Sequence, residues 1–288
     1  MVNESSINVR FKSVLFAPGN RSNVLSKIPR SQTDAAVIDL EDATPQDHKE
    51  NARETARATS IDLAREHKNL GLFIRVNALH TPYFFDDLKI SVSDVLTGVI
   101  VPKLSTKEDI ESAASALKET GHKDLPIMAG LETVLGLRNA LEIAEHPKVK
   151  WIYFGAEDYV ADLGGIRRAD NLEVLFARSQ VGQISRIAEV SAFDMVVTDF
   201  SDEQRFQREC EEARALGFTG KLCIHPSQVS LANKMFQPTT MELEWAKKVV
   251  NEYREALKRG EASISLNNEM IDEAVFKRAL AILESPQS

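Results

Sequence analysis

The chain has 288 residues, of which 43% are hydrophobic and 27% charged, enough apolar material to bury a sizeable core and no compositional sign of disorder. A net charge of -8 and a pI near 5.4 exclude a surface built to neutralise nucleic-acid phosphates, though not a locally basic pocket for a phosphorylated ligand. Two cysteines, Cys210 and Cys223, are not spaced for a metal site and make a poor disulfide framework, so a reducing cytoplasm is the expected home.

The first residues, MVNESSINVRFKS, are polar ahead of the first apolar run and do not read as a secretory leader. No apolar run approaches the roughly 18 residues that span a bilayer, so neither a membrane nor a nucleic acid is expected as a partner. Short apolar runs then recur between amphipathic stretches: SVLFAPG, AAVIDLED, LFIRVN, GVIVPK, PIMAGLE, WIYFGAED, DMVVTD and KLCIHP. Near-continuous apolar runs suit parallel strands buried on both faces, and most segments between them read as helices, clearest at 47–67 and 173–190. Eight strand and helix units are the number that closes a (βα)8 TIM barrel.

Each run ends in chemistry: Glu41 and Asp42, Arg75 and Asn77, Lys103, Glu132, Glu157 and Asp158, Asp199, and His225. Barrel enzymes build their sites at that carboxyl-terminal rim, although any one such residue can equally cap a turn. Glu132 and Asp158 end the fifth and sixth runs, so adjacent strands bring two carboxylates toward one point. The pair suits a cation between them or serves as caps of the following helices, and Glu157 is left out of the metal shell by the two-residue strand period. Arg75 offers a planar cationic fork to an oxyanion, or a rim salt bridge to Asp39 or Glu41. Arg21 and Lys27 flank the helix expected after APGN, where they can meet phosphates with help from the helix dipole or simply form a solvated face. His225 receives no role, and Cys223, Trp151 and Phe154 read as packing. The barrel is expected to span 1–236, leaving a helical extension over 237–288 with one helix from about Met241 to Lys258 and a second near Asp272, which caps it in the plain reading.

SVLFAPGNR with Lys27 after it, VIDLEDA, IRVN, GLET, FGAEDYVADLGG, FARS, GKLCIHPSQV and MIDEAVFKRA together resemble the HpcH/HpaI aldolase and citrate lyase beta-subunit-like family, which includes malyl-CoA and citramalyl-CoA lyases. The resemblance runs from residue 13 to about 280. It implies a magnesium-dependent carbon-carbon lyase acting on a 3-hydroxyacyl-CoA thioester. It assigns Mg2+ to Glu132 and Asp158, substrate and catalytic contacts to Arg75, and CoA phosphate contacts to Arg21 and Lys27. It also places an acidic group near the metal at Glu41, with Asp39 or Asp42 as alternatives. Asp272 falls where similar proteins carry an acid/base on a C-terminal lid that covers a neighbouring subunit's barrel, which implies a homotrimer or homohexamer. Asn267 and Asn268 stand where glycine is common, and Ala274 where proline is common, so the lid's path departs from the pattern. The same resemblance admits a malyl-CoA thioesterase with this site, or a citrate lyase beta-subunit docked to an acyl-carrier partner. A short-chain aldolase acting on free oxo acids is a third reading, but it leaves Arg21 and Lys27 without a ligand.

Overall fold

Parallel strands need crossovers long enough to return the chain, and helices supply them throughout residues 11–284, which the structure, a computed structural model, describes. The strands are β1 Ser13–Pro18, β2 Ala35–Asp39, β3 Gly71–Arg75, β4 Gly98–Val101, β5 Ile127–Leu131, β6 Val149–Phe154, β7 Ser191–Asp194 and β8 Gly220–Cys223. They pair in that order, all parallel, and β8 closes on β1: a (βα)8 barrel. The expected helices appear as Lys49–Glu66 and Leu172–Ile187.

The floor of the barrel is aromatic. Phe11, just ahead of β1, meets Phe73 edge-on at 5.7 Å between ring centroids, and Phe73 meets Trp151 in the same way at 5.1 Å. Val14, Met128 and Phe193 join this buried cluster, while Cys223 is buried on β8. Burying such rings supplies the main driving force for closure.

The seventh strand corrects the sequence expectation. It is SAFD, Ser191–Asp194, and not DMVVTD. The apolar run continues past Asp194 into the rim loop, where Asp199 is exposed and accepts from the Ser201 hydroxyl at 2.6 Å, as a turn aspartate does. Asp194 stays in the strand because its charge is matched: Arg178 grips both its oxygens at 3.0 Å and Lys221 reaches it at 2.7 Å. Burial works against the Asp194 carboxylate, but Lys221 and Arg178 outweigh it and hold the group below the usual range. Glu209 accepts from Lys221 at 3.3 Å and from Arg205 at 2.8 Å, so the cluster ties β7 and β8 to the helices Leu172–Ile187 and Glu203–Leu216. It sits where the barrel ladder is shortest, since β7 and β8 share two register pairs, Phe193 with Gly220 and Asp194 with Lys221.

The chain divides into two compact units between Lys234 and Met235. The second contains the helix Thr240–Lys258, opened by a capping box of Thr239 and Glu242, then a hairpin of β9 Ile264–Leu266 and β10 Glu269–Ile271, and the helix Glu273–Leu283. Asn267 and Asn268 form the hairpin turn with φ of 51° and 66°. Asparagine tolerates this left-handed pair of positions, which accounts for its standing where glycine is common. Val249, Val250, Tyr253, Ile271 and Ala279 are the core of the unit. Among the described residues, no helix is long and apolar enough to cross a membrane.

Gly182, inside the helix Leu172–Ile187, marks a contact with no room for a side chain, because an added Cβ would lie 1.9 Å from the Leu216 carbonyl oxygen. Alanine ordinarily favours a helix over glycine by about 1 kcal/mol. Here the sign reverses: Gly182→Ala should destabilise the protein by about 1–3 kcal/mol in urea unfolding, and a neutral or stabilising effect would contradict the close approach.

Candidate functional site

Register decides which charges meet at the rim. Asp39 and Arg75 are the last residues of β2 and β3 and are direct register partners. The guanidinium therefore meets the carboxylate squarely, with Nε donating to Oδ1 at 2.8 Å and Nη2 to Oδ2 at 2.6 Å. Asp39 also accepts the backbone N–H groups of Glu41 and Ala43, so it anchors the loop that carries the next two acids. Arg75 then extends Nη1 to Glu41 Oε2 at 3.0 Å, over the face of Phe16. Burial opposes the Arg75 charge, but Asp39 more than compensates and keeps the guanidinium firmly protonated. Both sequence readings of Arg75 thus have geometry behind them: it is salt-bridged to Asp39 and Glu41, and it lines the cavity.

Glu41 is buried, and burial pushes it above the usual carboxylate range despite Arg75 and Lys103. Lys103, just beyond β4, donates to Glu41 Oε1 at 2.8 Å and lies 3.4 Å from Asp158 Oδ1. Asp42 is more exposed than Glu41 and lies 3.7 Å from Arg75.

Glu132 follows β5 directly and is 1% exposed. Two glycines make its place: an added Cβ at Gly130 would lie 2.8 Å from Glu132 Oε1, and one at Gly155 would lie 2.5 Å from its Cγ. The Tyr153 hydroxyl donates to Oε1, while Oε2 is buried with no hydrogen-bond partner among the described residues. Burial first, then the charge of Glu41, pushes the Glu132 carboxyl up to about 8. Glu132 does not cap the next helix; the Thr133 side chain does, accepting from Gly136 N. Asp158 departs from the expected placement, because β6 stops at Phe154 and Gly155 starts the helix Ala156–Leu163. Glu157 and Asp158 are first-turn helix residues, where negative charge is favoured. The helix turn separates them, Asp158 toward Lys103 and Glu157 to Arg167 at 2.9 Å.

Together these rim residues enclose a cavity of about 410 Å³, with Asp39, Arg75, Glu132 and Asp158 among its polar lining and Val196, Leu222 and Ile224 among its apolar lining. Arg21 and Lys27 are exposed in the segment after β1 and form no ion pair among the described residues. The helix between them, Ser22–Leu25, is a single turn, too short to give the dipole expected from sequence. Asp272 belongs to the C-terminal unit, where its side chain caps the helix Glu273–Leu283 by accepting from Val275 N at 3.0 Å. His225 bonds to the Ser227 hydroxyl and stacks on Phe200 at 4.6 Å.

Sequence reasoning assigned no site role to Lys103 or Tyr153 and held Asp39 only as an alternative. Tyr153 carried a signal: it shares a face with Trp151 by the strand period, and a tyrosine inside a barrel needs a partner for its hydroxyl. Lys103 was visible as a strand end, but its reach depends on a backbone turn that no pattern announces.

The family model for HpcH/HpaI aldolase/citrate lyase matches residues 12–226. A citrate lyase subunit beta-like protein of Deinococcus radiodurans is 47% identical over 274 residues, covering 94% of this chain and 96% of its own. A (3S)-malyl-CoA thioesterase of Cereibacter sphaeroides is 31% identical over 264 residues, 91% of this chain and 90% of its own. The crystal structure of CitE from Mycobacterium tuberculosis in complex with magnesium, acetoacetate and coenzyme A superposes with a TM-score of 0.82 at 29% identity, covering 96% of this chain and 98% of that one.

The elevated Glu132 carboxyl has a pH consequence in metal-free protein. An acid raised from 4.5 to about 8 on folding binds its proton more tightly in the native state, so its stabilising effect is complete below about 4.5 and is lost as pH rises through 8. Glu132→Gln, which cannot ionise, should remove a downward slope of about 1 kcal/mol per pH unit from urea-unfolding stability measured in EDTA across that window. Identical slopes in both proteins would place the titration elsewhere.

Proposed function

The chain belongs to the HpcH/HpaI aldolase/citrate lyase family, and from that premise we propose that it is a magnesium-dependent carbon-carbon lyase. Its substrate in this reading is a 3-hydroxyacyl-CoA thioester such as malyl-CoA or citramalyl-CoA, cleaved to acetyl-CoA and an oxo acid or condensed from them. The observation that carries the reading is Glu132, a carboxylate with one buried oxygen unpartnered on the wall of a cavity that Asp158 also lines. A buried polar atom without a partner is costly, and a hard cation relieves it. Magnesium takes oxygen ligands and is commonly held by one or two carboxylates with water and substrate oxygens completing its shell, which fits Glu132 and Asp158. The CitE complex with magnesium supports the same choice.

Bound there, magnesium supplies Lewis acidity and a template for the substrate's oxygens. Arg75 presents donors to the oxygen on which charge develops, and its ties to Asp39 and Glu41 fix its direction before substrate arrives. Glu41 serves as the acidic group beside the metal and as a brace for Arg75. Arg21 and Lys27, exposed and in no ion pair among the described residues, receive the CoA phosphates. Asp272 exchanges a proton with the enolate carbon from a neighbouring copy in a homotrimer or homohexamer. The similar thioesterase and citrate lyase beta-like proteins set the two alternatives, hydrolysis of the thioester and dependence on an acyl-carrier partner.

The test is a panel of 3-hydroxyacyl-CoA esters with Mg2+, read by mass spectrometry. Acetyl-CoA and oxo acid are the expected products; free CoA without carbon-carbon cleavage indicates a thioesterase, and no turnover of any ester indicates a carrier-dependent subunit. Arg75→Lys, which cannot reproduce the fork, should lose at least about two orders of magnitude in kcat.

Asp272 needs a substitution that separates its cap from its chemistry. Asparagine caps helices about as well as aspartate but cannot move a proton. Asp272→Asn should therefore keep the wild-type melting temperature and lose nearly all turnover; full activity would leave Asp272 as a cap alone.

A further inference from the structure

Lys103 adopts a conformation that its residue type disfavours. It follows Pro102 with φ at 55°, in the left-handed region that costs a side chain with a Cβ about 1–2 kcal/mol. The turn aims its ammonium at three carboxylates, 2.8 Å from Glu41, 3.4 Å from Asp158 and 3.8 Å from Asp42. Glu41 is consequently held at Oε1 by the Lys103 hydrogen bond, while Oε2 lies 3.0 Å from Arg75 Nη1 in an ion pair without a hydrogen bond. It is also the strongest charge acting on the buried Glu132. Glu132 and Asp158 line the cavity, and Lys103 bridges Asp158 to Glu41, which lies behind that lining.

The number of carboxylates around a divalent ion tunes how tightly it binds, and a metal that works on substrate must keep positions open. A third carboxylate would strengthen the site and fill one of those positions. We propose that Lys103 is a positioning residue that withholds Glu41 from the cation, fixing the metal's protein carboxylates at Glu132 and Asp158; this rests on the metal assignment above. Held by the Lys103 hydrogen bond and the charge of Arg75, Glu41 stays a brace. Without the ammonium, Glu41 turns to the cation, the metal binds more tightly, and substrate loses a coordination position.

The experiment titrates Mn2+ into full-length wild type, Lys103→Met, Lys103→Arg and Glu132→Gln, following affinity by calorimetry and the water molecules left on bound Mn2+ by proton relaxation. Turnover is measured in parallel at saturating metal. Lys103→Met should bind Mn2+ about tenfold more tightly, since removing a nearby positive charge and adding a carboxylate act in the same direction. It should also hold fewer exchangeable waters and show a raised KM with lowered kcat. Lys103→Arg, which keeps the charge, should return affinity and water count to near wild type. Lys103→Gly suits the backbone at this position and repeats the measurement should the methionine variant fold poorly. Unchanged or weaker Mn2+ binding in Lys103→Met and Lys103→Gly, with binding lost in Glu132→Gln, overturns the role of Lys103 alone. Wild-type Mn2+ affinity in Glu132→Gln overturns the metal assignment and this inference with it.

Discussion

Arg75 carries a full charge while its side chain is only 12% exposed, and that is possible because Asp39 meets it with both oxygens from the neighbouring strand. A guanidinium buried without such a partner would be prohibitively costly. The pair is set by barrel register, so the same hydrogen-bonded ladder that closes the fold also aims the cation. Everything else at the rim is arranged around that fixed direction. Asp39 orders the loop bearing Glu41, Glu41 takes the third guanidinium nitrogen, and Lys103 locks Glu41 in turn.

Charge balance gives this chain of contacts its purpose. The cavity is lined by Asp39, Asp42, Glu132 and Asp158 with Arg75, and Glu41 and Lys103 join them through ion pairs to Arg75 and Asp158. Burial first, and then the charge of Glu41, raises the Glu132 carboxyl to about 8. An acidic excess gathered from a strand end, the loops beyond it and a helix turn favours a cation between its members. It contrasts with the Asp194 cluster on the other side of the sheet, where buried acids and bases match and the carboxylates are lowered.

The barrel was legible in the sequence because eight apolar runs, each ending in a polar residue, are a direct imprint of strands buried on both faces. The seventh run misled because Asp194 looked like a strand start and not a strand end. Its burial depends on Arg178 and Lys221, which are 16 and 27 residues away, and no local pattern reveals that pairing. Arg75, Glu41, Glu132 and Asp158 were legible as rim residues because chemistry gathers at strand ends. Asp158 proved to stand on a helix turn since Gly155 ends the strand early. Tyr153 was half visible through its alternation with Trp151. Lys103 was hidden altogether in its role, because its contacts follow from a left-handed backbone angle.

The two register pairs joining β7 to β8 make that junction the barrel's thinnest hydrogen-bonded seam, and one of the pairs is Asp194 with Lys221, itself an ion pair. Electrostatics here takes over from the ladder. Because both side chains are fully buried, dissolved salt, which weakens exposed pairs, reaches this clasp poorly. The cost of keeping ions out of water also falls as temperature rises, so heating favours the clasp that fastens the seam with the fewest backbone bonds.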